Sequence, residues 1–117
     1  MSTSVARRIP FRCSKGIEFV PLESILYIQS DANNSVIHMN TNKKLLLTCS
    51  LGKLETQMAN YKMFYRIHHQ YLVSLLHIIS YIKGDGGEVV LIDGQTLPVS
   101  RIKKKGFLNW VKRLNME

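Results

Sequence analysis

A chain of 117 residues has the length of one domain and can bury a single core without metal or disulfide staples. Its composition, 45% apolar and 21% charged, argues against disorder, and no stretch approaches the ~18 apolar residues of a membrane span. The net charge of +8 points to an anionic partner, and the excess leans C-terminal: residues 1–60 hold seven Lys/Arg against four acids, residues 61–117 nine against four.

Residues 1–8 read as a flexible lead without the apolar region of a signal peptide, so the protein is expected in the cytoplasm. Beyond it, short apolar runs separated by turn residues predict strands over 9–13, 17–20, 25–30, 35–39 and 44–49. Lys15-Gly16, Asp31 to Asn34 and Thr41-Asn42 supply the turns between them. Cys13 and Cys49 lie far apart with no CxxC pattern and are expected to be buried, reduced thiols.

Ser50 then caps a predicted helix that carries Leu51, Leu54 and Met58 at helical spacing and runs to Asn60. Strands resume over 64–67, 71–74, 78–83, 88–92 and 96–99. Gly84-Asp85-Gly86-Gly87 and Asp93-Gly94 mark two successive hairpins, and Pro98 suits a sheet edge. Phe107, Trp110, Val111 and Leu114 fall at i, i+3, i+4 and i+7, which predicts a C-terminal helix lying as a lid over the sheet. The fold class is mainly β and mostly antiparallel, with two helices.

Two basic edges interrupt this apolar scaffold. Arg66, His68, His69 and Gln70 surround a reversal of chain direction, where Arg, His and Gln can reach phosphates or base edges. Ser100, Arg101, Lys103, Lys104 and Lys105 follow the last strand without an acid nearby, so a helix N-terminus and four cations share one neighbourhood. The solvated-face reading remains open for both, and Asn33, Asn34 and Ser35 alone say no more than that a turn is present. His68 and His69, as successive strand residues, should point to opposite faces and so fail to converge on one ion. No coherent acid, base, nucleophile or phosphate loop emerges, so the chain is expected not to be an enzyme and to need no cofactor, metal or small-molecule substrate.

Four motifs in order, Ile25-Leu26-Tyr27-Ile28, Ser50-Leu51-Gly52-Lys53-Leu54-Glu55, Phe64-Tyr65-Arg66-Ile67-His68 with Tyr71-Leu72-Val73, and Leu97-Pro98-Val99-Ser100-Arg101, resemble the LytTR DNA-binding domain over residues 9–114. The resemblance implies an elongated ten-stranded β fold, found at the C-terminus of bacterial response regulators, that puts loops rather than a recognition helix into successive major grooves. It implies base contacts from Asn33, Asn34, Ser35, His69 and Arg101. Backbone contacts are expected from Arg66, His68, Gln70, Ser100, Lys103, Lys104 and Lys105.

The chain departs from the family after its histidine, with His69, Gln70 and Ser74 where relatives carry Arg or Lys, Ser and Asn. Its preferred operator therefore cannot be copied from them. The family's receiver domain does not appear, and Met1 with its short lead favours a stand-alone protein regulated by a partner, by dimerisation on DNA or by abundance. The expectation is a sequence-specific transcription regulator that binds double-stranded DNA at paired short repeats, as a homodimer there. The alternative is a module that sequesters a related regulator by pairing of sheet edges.

Overall fold

The computed structural model describes residues 7–115. Ten strands form three antiparallel sheets rather than one. The largest has five strands: β3 (Ile25–Asp31), β4 (Asn34–Met39), β5 (Lys44–Leu47), β6 (Phe64–His68) and β7 (Tyr71–Ser74), in spatial order β5-β4-β3-β7-β6. The hairpin β1 (Arg8–Cys13) and β2 (Gly16–Pro21) stands beside β5, where the Thr48 amide donates to the Arg12 carbonyl at 3.3 Å. A third sheet orders β8 (Ile78–Ile82), β9 (Glu88–Leu91) and β10 (Thr96–Pro98) as β10-β9-β8, which puts Pro98 on an edge strand as its missing N–H requires.

Burial explains the layering. The central strand β3 opens with the unbroken apolar run Ile25-Leu26-Tyr27-Ile28, all buried, as expected of a strand covered on both faces. An irregularity between Ile25 and Tyr27 shifts its register on β4. Ile25 and Ile28 join one core with Phe11, Ile37, Leu54 and Phe64, under the β1–β2 hairpin and helix α1 (Leu51–Gln57). Leu26 and Tyr27 join a second core with Ile67, Leu91, Val99 and Phe107, under the three-stranded sheet and helix α2 (Arg101–Asn115). The five-stranded sheet is the middle layer of a slab of 42 × 40 × 26 Å.

Several boundaries move for local reasons. The predicted strand to Cys49 ends at Leu47, because the chain must turn there for the Ser50 hydroxyl to accept from the Lys53 amide and cap α1. The helix closes at Gln57, and residues 58–60 form a turn through the Ala59 amide on the Thr56 carbonyl. Residues 1–6 of the expected lead lie outside the described residues, while Arg8 already belongs to β1. Both cysteines are unbridged and half-buried rather than buried.

Candidate nucleic-acid interface

One end of the five-stranded sheet gathers the segments singled out in the sequence. The β3–β4 turn (residues 32–33) and the β6–β7 turn (residues 69–70) sit side by side because β3 runs antiparallel to both neighbours, and the Ser30 amide donates to the Gln70 carbonyl at 2.9 Å. The start of α2 joins them through the Ser100 amide, which donates to the Ile67 carbonyl at 2.9 Å. The β8–β9 turn follows, tied by the Val99 amide to the Gly87 carbonyl at 2.9 Å. Only glycine fits at position 86, because a Cβ there would overlap the Val99 carbonyl.

Arg66 does not offer its guanidinium to solvent as expected. Its side chain is 16% exposed, pairs with Glu55 of α1 at 2.9 Å, and donates to the His68 carbonyl at 3.1 Å and to the His69 carbonyl. The guanidinium fork thus satisfies the carbonyls of the β6–β7 turn and holds its shape. Arg66→Met should leave Glu55 and both carbonyls without that partner and destabilise the fold by about 1–3 kcal/mol, a loss read from the denaturant midpoint.

His68 and His69 converge where alternation would separate them, because pairing slips between Arg66 and His68 and the strand ends there. Their rings stack at 4.8 Å between centroids. The Gln70 amide donates to His68 Nδ1 at 3.1 Å, which requires that nitrogen to be unprotonated. Burial, then His69 and then Arg66, push the His68 pKa below its ordinary value, and burial followed by Lys44 does the same to His38. The unfolded chain therefore binds more protons just below the ordinary histidine pKa of about 6.5, and stability is lost as pH falls through that window. Melting scans between neutral and mildly acidic pH should show this, and His38→Gln should reduce the drop.

Ser35 corrects the expected reading loop. Its side chain is fully buried and its hydroxyl donates to the Cys49 carbonyl at 2.7 Å, so it ties β4 to the approach of α1 instead of facing a base. Ser35→Ala should destabilise the domain by about 1–3 kcal/mol in denaturant titrations while sparing DNA discrimination by the folded fraction. Asn33 and Asn34 are exposed beside it. Ala32, in the same turn, holds a φ of 56°, a left-handed conformation that favours glycine. Ala32→Gly should therefore raise stability by about 1 kcal/mol in thermal melts.

The LytTr DNA-binding domain family matches residues 15–112. The chain belongs to that family. Its fold is similar to the LytTr DNA-binding domain of a Bacillus cereus response regulator, with a TM-score of 0.75, 16% identity, and coverage of 92% of this chain and 98% of that one. Its sequence is similar to the CO-responsive transcriptional regulator RcoM of Rhodospirillum rubrum, 26% identical over 98 residues. That match takes in 81% of this chain, which spans 41% of the relative's length.

In this LytTR domain α2 begins against the usual electrostatic preference. Ser100 caps it, its hydroxyl accepting from the Lys103 amide at 3.2 Å, and the first turn holds no acid. Arg101 and Lys105 are exposed, Lys103 and Lys104 half-buried, all near the positive end of the macrodipole, where cations are disfavoured unless an anion neutralises them. Lys104 donates to the Gly84 carbonyl at 3.0 Å.

Exposed Lys83, Arg12 and Lys15 stand at the same end, outside the motifs singled out in the sequence. Lys83 borders the β8–β9 turn under α2, and the β1–β2 turn reaches the same end through the Thr48 to Arg12 bond. No motif could reveal them, since only tertiary packing brings those turns to this end. Glu55 and Arg66 form the one ion pair among the described residues. No described helix is long and apolar enough to cross a membrane, and no cluster of three or more metal-ligating side chains occurs among the described residues.

Proposed function

We propose that this chain is a transcription regulator that reads double-stranded DNA in a sequence-specific manner through one end of its central sheet, with its loops in successive major grooves. The observation that carries the reading is the joining of the β3–β4 turn, the β6–β7 turn and the start of α2 at that end by the Ser30 to Gln70 and Ser100 to Ile67 hydrogen bonds. Asn33, Asn34, His69 and Arg101 are its base readers: amide, imidazole and guanidinium groups can all engage base edges, and all four residues are exposed. Gln70, Ser100, Lys103, Lys104 and Lys105 hold the phosphates, with the positive end of α2 behind them.

Arg66 and His68 act on the DNA through the turn they shape. Residues 9–114 make up the DNA-binding domain. Two copies dimerise on paired short repeats, so that the operator mirrors a two-fold arrangement. Salt titrations test the phosphate roles. Lys104→Ala should weaken binding to cognate and random duplexes alike and reduce the salt slope by about one unit, whereas loss confined to cognate DNA would contradict its role as a phosphate contact.

A further inference from the structure

At the end of β6 opposite the DNA-reading turns, α2 leans across the segment that leads into the strand and leaves an open cavity of about 590 Å³. Half-buried Tyr61 and Tyr65 supply aromatic surface backed by the buried Phe64 and Trp110, and Lys62 and Arg113 stand exposed around it. Tyr65 and Trp110 stack at 5.1 Å, and the indole N–H is already committed to the Lys62 carbonyl at 2.7 Å. Trp110 therefore has no polar group left to offer, and at 6% exposure it closes the floor of the cavity. The Arg7 guanidinium lies 5.8 Å from the centre of the Tyr61 ring, adding a third cation beside the cavity. No lining residue is acidic.

The neighbouring Glu55 carboxylate is held by Arg66 at 2.9 Å. Burial, and then Glu55, raise the Tyr65 pKa, so its hydroxyl stays protonated and able to donate. Cavities of roughly 300–1,000 Å³ with apolar walls and a few polar groups are the usual sites of small ligands. Aromatic walls favour a flat apolar body, and flanking cations with no opposing acid favour one negative charge on it.

We propose that this cavity is a binding site for an aryl carboxylate, whose ring lies against Tyr61 and Tyr65 beside Trp110 and whose carboxylate meets Arg113 and Lys62. The site is separate from the DNA-reading end and does not depend on that assignment. It rests against the helix whose first turn belongs to the DNA-reading end, so an occupant bears on α2 directly.

Trp110 is the chain's one tryptophan, which makes its fluorescence a local reporter. Titration of the full chain with para-tert-butylbenzoate should give a saturable change with a dissociation constant of about 0.1–1 mM, and the matching benzamide should bind at least about tenfold more weakly. Arg113→Gln, a surface change that leaves the core intact, should weaken the benzoate by about tenfold and leave the benzamide unchanged. A response that never saturates would overturn the site. Equal binding of acid and amide, or an Arg113→Gln chain that binds the benzoate as before, would overturn the assignment of an anionic ligand.

Discussion

Phe107→Ala is expected to cost about 3–5 kcal/mol of stability, a large share of the roughly 5–15 kcal/mol that holds a domain of this kind together. The ring is 1% exposed and meets three aromatic partners, Tyr81 at 5.5 Å, Trp110 at 5.8 Å and Tyr65 at 6.3 Å. These contacts fix α2 to β6 on one side and to the three-stranded sheet on the other. Truncation leaves a cavity where three elements meet. The denaturant midpoint should fall sharply. DNA affinity should fall with it, because Arg101 and the lysines of α2 are positioned only while the helix is docked. A midpoint within about 1 kcal/mol of the parent would mean that α2 is not held through this core.

Arg101→Ala should act in the opposite way, leaving stability intact and removing about 1–3 kcal/mol of binding to a cognate duplex, with relaxed discrimination at one base step. Arg101 is exposed at the first position of α2, where its charge opposes the helix dipole and meets no carboxylate among the described residues. Nothing in the fold accounts for a cation at that position, whereas a guanine edge or a phosphate would. Comparison of Kd on cognate and random duplexes separates the two. A loss confined to cognate DNA assigns Arg101 to a base, and an equal loss on both assigns it to the backbone.

Much of this was legible in the chain itself. Short apolar runs between turn residues located all ten strands, the Ser50 cap located the start of α1, the Phe107 to Leu114 spacing located the body of α2, and the order of four motifs pointed to the family. The resemblance counts Ser35 with the reading loop, whereas the alternation of β4 begins at this residue. Ser35 and Ile37 share the inward face of β4, and that period alone could have predicted the buried hydroxyl.

The role of Arg66 was out of reach, since its partner Glu55 stands eleven residues earlier on another element and only tertiary packing joins them. The stacked histidines escaped for a different reason. Alternation holds only while a strand continues, and here it fails at an irregularity that sequence does not mark. The aromatic cavity was likewise hidden, because only the placement of α2 brings Trp110 beside Tyr61 and Tyr65.

Selection from a random duplex pool at near-physiological salt, run in parallel with the parent chain and with Arg101→Ala, tests the central claim most directly. The expected result is enrichment by the parent of paired short repeats about one helical turn apart, with the preference blurred or lost at one base step in the variant. Recovery of unenriched DNA by the parent, with binding that simply fades as salt rises, would contradict a sequence-specific reader and leave only a basic surface.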